Sequence, residues 1–114
     1  MGLVLWIDQN TFASNLVERV FKKKDLPFYT ISQVNDFLYL VKDLNPEVLV
    51  LDASTALSSL DAFRSQYLLM EKIPLIVLDP KDGLDFLENK IGEIKRPFDP
   101  FEIPGQISNL LKNN

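Results

Sequence analysis

Pro46-Glu47-Val48-Leu49-Val50-Leu51-Asp52 decides the fold of this chain. Four apolar residues, two of them β-branched, run without alternation into a carboxylate. A strand buried on both faces, as inside a parallel sheet, reads this way. Two other runs have the same form: Leu3 to Ile7 leads into Asp8, and Ile73 to Leu78 leads into Asp79. Weaker strands fit Phe28 to Ile31 and Gly92 to Lys95.

Between the strands, apolar residues recur at helical spacing. Phe12, Leu16, Val17, Val20 and Phe21 mark one helix, opened by Asn10 or Thr11 as cap. Val34, Phe37, Leu38 and Val41 mark a second. Leu60, Phe63, Tyr67 and Leu68 mark a third, capped from Ser58-Ser59. Asp82-Gly83 opens a short fourth over Leu84 to Asn89. The fifth covers Phe101 to Lys112, with Asp99 as cap, Pro100 at the first helical position and Glu102 completing a capping-box pattern. Pro104 lacks an N–H and crowds the carbonyl four residues back, so it should distort that helix's first turn. Strand followed by helix, five times over, predicts one α/β domain spanning 1–114. Its core is a doubly wound, five-stranded parallel sheet of flavodoxin-like topology, with helices on both faces.

The bulk properties narrow the chemistry. A chain of 114 residues, 46% of them apolar, can build one core and shelter one crevice. It has no cysteine and no histidine, which excludes a thiol nucleophile, a zinc site of the usual type and a histidine base. With a net charge of -4 it lacks the basic footprint of a nucleic-acid binder. Lys22-Lys23-Lys24 reads as the solvated, cationic end of the first helix. No run approaches the roughly 18 apolar residues of a membrane span. Nor is there a basic leader with an apolar segment behind it, so a cytoplasmic location is expected. No Gly-x-Gly-x-x-Gly or other glycine-rich loop is present to cradle a nucleotide.

Ligands of open α/β sheets bind at the carboxyl ends of the strands, near the point where strand order reverses. Asp8, Asp52 and Asp79 end the three most hydrophobic strands on that edge. Neighbouring strands lie about 4.8 Å apart, so the three carboxylates should share one pocket. Charges that close require a cation, a basic side chain or protonation of one member. Mg²⁺ suits oxygen ligands, and the Lys95-Arg96 pair is the basic candidate nearby.

These residues resemble the receiver domains of two-component response regulators over nearly the whole chain. The resemblance rests on Leu3-Val4-Leu5-Trp6-Ile7-Asp8, Pro46 to Asp52, Ile73-Pro74-Leu75-Ile76-Val77-Leu78 and Arg96-Pro97-Phe98-Asp99-Pro100. It implies that Asp52 is the phosphoacceptor position and that Asp8 and Gln9 stand where two acids help hold Mg²⁺. It implies a metal, if one binds, on Asp8, Asp52 and the carbonyl of Ser54, with Arg96 where a lysine neutralises the phosphoryl group. It also implies a cis bond before Pro97. The partners it implies are a histidine kinase or a downstream signalling protein, or a second copy in a homodimer. Such a domain is not an enzyme.

The pocket departs from the family pattern at three positions. Gln9 is neutral where a carboxylate is usual, so Mg²⁺ should bind weakly or not at all. Asp79 stands in place of a Ser or Thr and repels a phosphoryl group instead of donating to it. Arg96 replaces lysine with a planar fork suited to carboxylates. The pocket is therefore expected to be neutralised internally by Arg96 pairing with Asp52 or Asp79, which makes the chain a pseudo-receiver independent of phosphorylation. The alternative is a working Mg²⁺-dependent phosphoacceptor. Glu93 stands where the family carries a switching aromatic residue. The short Pro80 to Ile91 segment predicts a fourth helix of about two turns and a modified partner surface, to which Phe98 and Phe101 are assigned with Glu93. A remote reading is a small haloacid-dehalogenase-like phosphatase, from Asp8-Gln9-Asn10-Thr11. There Asn10 replaces the general acid and cannot transfer a proton.

Overall fold

The structure, a computed structural model, describes residues 1–113. Its strands are β1 (Val4–Ile7), β2 (Phe28–Ile31), β3 (Val48–Asp52), β4 (Leu75–Leu78) and β5 (Lys90–Ile94). They form one sheet in the order β2-β1-β3-β4-β5, parallel throughout. Side chains alternate across a strand, and in β1, β3 and β4 both sets are buried. Leu5, Ile7, Leu49, Leu51 and Leu75 pack under α2 (Phe37–Leu44), α3 (Ala53–Ser58) and α4 (Leu60–Leu69). Val4, Trp6, Val48, Val50 and Ile76 face α1 (Thr11–Lys23) and α5 (Ile103–Lys112). The doubly wound architecture expected from the sequence is the one observed.

Two elements differ from expectation. α3 is additional: Asp52 caps it directly, and the chain breaks at Ser59 (φ -140°) before α4 begins. The other difference is a loss, because the expected helix at Leu84 to Asn89 is not formed. Leu84, Phe86 and Leu87 cannot share one helical face, since Leu84 and Phe86 would point in nearly opposite directions. As an irregular loop opened by Gly83 (φ 108°), the segment turns all three into the core beneath it. Phe86 packs tilted against Phe63 and edge-on against Tyr67, at 6.0 and 5.5 Å between ring centres, and the Arg64 guanidinium lies 5.1 Å over its ring. The Tyr67 hydroxyl donates to Asn89 Oδ1 (2.6 Å) and accepts from the Glu88 N–H (2.8 Å). Asn89 Nδ2 in turn donates to the Ile73 carbonyl. Side chains thus hold this crossover in place of a helix.

Boundaries shift where caps compete. The second helix starts at Phe37, after a turn closed by the Phe37 N–H on the Val34 carbonyl, and ends at Asn45 in a left-handed conformation. At the last helix, Asp99 Oδ1 accepts from the Phe101 N–H (2.9 Å), and Pro100–Glu102 forms a 3₁₀ turn. α5 restarts at Ile103, which puts Pro104 in a first turn where its missing N–H would have no helical acceptor. The Glu102 side chain makes no capping hydrogen bond, so the expected capping box is absent.

Phe86→Ala should destabilise the fold by about 2 kcal/mol, below the value for a fully buried ring because Phe86 is half-buried. Urea unfolding should show a lower midpoint, and amide exchange over residues 82–89 should accelerate more than in β3. A loss under about 0.5 kcal/mol would mean that the loop is held by something other than this ring.

Candidate functional site

The carboxyl ends of β1, β3 and β4 bring Asp8, Asp52 and Asp79 together, and Arg96, two residues past β5, lies among them. One guanidinium holds all three. Arg96 Nη2 donates to Asp8 Oδ2 at 2.5 Å, while Nη1 donates to both Asp52 Oδ1 and Asp79 Oδ2 at 3.0 Å. Asp79 grips the same residue twice, because its Oδ1 accepts from the Arg96 backbone N–H at 2.7 Å. Asp79 adopts a left-handed backbone (φ 46°), which aspartate tolerates better than most residues. The Arg96-Pro97 peptide bond is cis.

The remaining carboxylate oxygens are also occupied. Asp8 Oδ1 accepts from the Asn10 N–H at 3.0 Å. Asp52 Oδ2 accepts from both the backbone N–H and the hydroxyl of Thr55, at 3.0 and 2.7 Å. Thr55 Oγ1 itself accepts from the Gln9 N–H at 2.8 Å. All six oxygens of the three aspartates therefore accept a hydrogen bond from the protein.

Burial is unequal across the trio. Asp8 is 1% exposed and Asp52 4%, whereas the Asp79 side chain is 34% exposed. Burial pushes the Asp8 carboxyl above its ordinary value, against the lowering pull of the Asn10 N–H and of Arg96. Asp79 is held below its ordinary value, first by the Arg96 backbone N–H and then by the guanidinium. Burial opposes the charge on Arg96, but the Asp79 hydrogen bond and the nearby charges of Asp8 and Asp52 outweigh it and raise its pKa.

This arrangement does not fit a divalent ion. The oxygens that would ligate one are bonded to guanidinium, hydroxyl and amide N–H donors, and no acidic cluster suited to a metal occurs among the described residues. Ser54, expected to lend its carbonyl, lies in the first turn of α3. Helical carbonyls point toward the C-terminal end, so this one is directed away from Asp52. Gln9 joins the site through its backbone N–H. Thr55, not singled out from the sequence, is as central as Arg96; its signal was the Asp52-x-x-Thr55 spacing of a helix start.

Of the expected partner-surface residues, Glu93 and Phe98 line one surface hollow. Phe101 is 65% exposed. Glu93 is exposed on β5 and pairs with Lys90 at 2.7 Å, which holds its carboxyl below the ordinary value. Phe98 is half-buried: it meets Trp6 edge-on at 6.0 Å, and its ring lies 5.8 Å from the Arg96 guanidinium. It buttresses the pocket with one side and borders the hollow beside Glu93 with another.

No protein-family model matches the sequence, and no curated protein matches it either. Solved structures do match. A response regulator signal receiver domain from Bermanella marisrubri superposes with a TM-score of 0.72 at 22% identity, covering 96% of this chain and 97% of that one. A CheY-like receiver domain protein from Methanospirillum hungatei gives 0.74 at 16% identity, over 99% and 98%. The receiver domain of a Francisella response regulator gives 0.70 at 19%, over 99% and 98%. The described residues have the CheY-like receiver fold over nearly their whole length.

Removing the shared cation should expose the repulsion it offsets. Arg96→Met should lose about 3 kcal/mol at pH 7, the scale for leaving buried charges unpaired. In the variant, Asp8 loses the opposing pull of Arg96, so burial holds its folded-state pKa further above the unfolded one. The folded state then binds more protons, so stability should rise as pH falls from 7 toward the unfolded value near 4. The wild type carries the same Asp8 contribution in weaker form, and below the unfolded value near 4 it should lose stability as Asp79, with its lowered pKa, is protonated. Millimolar Mg²⁺ should stabilise the variant and leave the wild type unchanged. Denaturant titrations across pH check this; a variant as stable as the wild type at pH 7 would contradict it.

Proposed function

We propose that this chain is a pseudo-receiver: a two-component-type signalling module that acts through protein–protein contacts and does not use phosphorylation of Asp52. The observation that carries this reading is the saturation of Asp52. Its Oδ1 is committed to Arg96, and its Oδ2 to two donors from Thr55.

Phosphoryl transfer requires one of these oxygens as a free nucleophile and then adds a group of about -2 charge. Attack through Oδ1 breaks a buried ion pair, at a cost of about 3 kcal/mol. Attack through Oδ2 removes the cap of α3. In either case the new group faces Asp79, which repels it. The divalent ion that would offset these costs meets the guanidinium in its place. Within this reading, partners engage the exposed surface, where Phe101 and Glu93 are the candidates.

Incubation with acetyl phosphate and Mg²⁺, followed by intact mass measurement, should leave the protein unmodified. Beryllofluoride with Mg²⁺ should leave the amide resonances of Asp8, Asp52 and Thr55 in place. Stoichiometric labelling that disappears in Asp52→Asn would overturn the proposal in favour of a working phosphoacceptor.

A further inference from the structure

Beside the carboxylate pocket, across Thr55, lies a crevice of about 520 Å³ between the β1–α1 turn, the β2–α2 turn and the start of α3. Its volume falls within the range of small-molecule sites. Its place does too: it opens at the carboxyl ends of β1, β2 and β3, where the strand order 2-1-3 reverses. A quarter of the chain is charged, yet none of the residues lining this crevice is. They are hydroxyls and carboxamides around the buried Val34, and the buried Thr55 hydroxyl forms the wall shared with Asp52.

The groups lining it are unspent. Among the described residues, the side chains of Gln9, Ser32, Gln33, Asn35 and Ser59 have no hydrogen-bond, ion-pair or ring partner in the protein. A separate hollow of about 360 Å³, which includes the carboxylate of Asp36, lies on the other side of Ser32, Gln33 and Asn35, so the polar side chains of the β2–α2 turn border both. Each carboxamide offers two donors and an acceptor, and each hydroxyl offers both functions. A ligand that satisfies such a set carries donors and acceptors at close intervals.

Charge decides what kind of ligand it is. Asp8, Asp52 and Asp79 carry three negative charges against the single positive charge of Arg96, and the pocket they form adjoins the crevice at Thr55. An anion approaching the crevice meets that excess, while a cation finds no carboxylate in the lining to pair with. No aromatic ring lines the crevice, so a planar base has nothing to stack on. We infer that this crevice is a binding site for an uncharged, hydroxyl-rich small molecule, a polyol or monosaccharide. Its occupant touches Thr55, which donates to Asp52, and so reaches the residue at the phosphoacceptor position without any phosphoryl chemistry.

The test is an amide-resonance titration of the intact chain with myo-inositol, D-ribose and D-glucose, each beside its monophosphate. At least one neutral compound should give saturable shifts confined to Gln9, residues 32–35 and residues 55–59, with a dissociation constant on the order of 1 mM. Its monophosphate should bind at least about tenfold more weakly. Gln33→Ala combined with Asn35→Ala changes two solvent-facing side chains and should abolish the shifts while leaving the melting temperature unchanged. Linear, unsaturated shifts with all three neutral compounds would overturn the assignment. So would a monophosphate that binds as tightly as its parent, or saturation that survives the double substitution. None of these outcomes depends on whether Asp52 accepts a phosphoryl group.

Discussion

The constraint on which this molecule turns is a single guanidinium serving three carboxylates. A parallel sheet sets its strand ends side by side, and here three adjacent ends carry aspartate, two of them almost wholly buried. Ionised carboxylates at that spacing repel one another strongly where water is excluded. A lysine would bring one compact charge on a flexible stem. Arginine brings a rigid fork with several donors, so Nη1 and Nη2 can reach three acids at once. Its Nε is buried without a partner, a cost carried in order to place the two terminal nitrogens. The same residue closes the far side of the sheet, because Asp79 at the end of β4 holds both its backbone and its side chain.

Around this core the neighbouring connections are fastened as tightly. Thr55 starts α3 directly on Asp52, which removes the slack a loop would provide between the strand and the helix. The crossover after β4 is fastened by Phe86 and Asn89 to Tyr67 and Ile73, and it contains no helix that could shift as a unit. Glu93 is an exposed acid paired with Lys90 on the edge strand β5.

The fold was legible because its signal is strong and local. Runs such as Val48 to Leu51 are short, partly β-branched and bounded by Pro46 and Asp52, which favours a strand buried on both sides over a helix, and helical periodicity fills the gaps between them. The carboxylate trio was legible for the same reason, since each acid ends such a run. The α3 helix was not, because Asp52 was read as a strand end and the same residue is also a helix cap. The loop at 84–89 was misread because Asp82-Gly83 resembles a helix start, and only the tertiary position of Phe63 and Tyr67 shows why three apolar residues turn down together. Arg96 was expected on Asp52 or Asp79. That it reaches Asp8 as well depends on the angle of its planar fork, which no spacing in the sequence encodes.

Gln9 and Arg96 make sense as a pair. A site built for a divalent ion can accommodate an extra carboxylate, since the ion brings two positive charges. A site closed by arginine has only one. With Asp8, Asp52 and Asp79 ionised, the formal sum is already two negative charges, and Asp79 relieves part of that by standing a third exposed to water. Burial already strains the ionisation of Asp8, so a fourth acid at position 9 would push its carboxyl further toward the neutral form and weaken its bond to the guanidinium. A neutral amide at position 9 keeps the backbone N–H that Thr55 requires and adds no charge. Position 9 thus serves the site through its backbone and leaves the charge balance to Arg96 and the three aspartates.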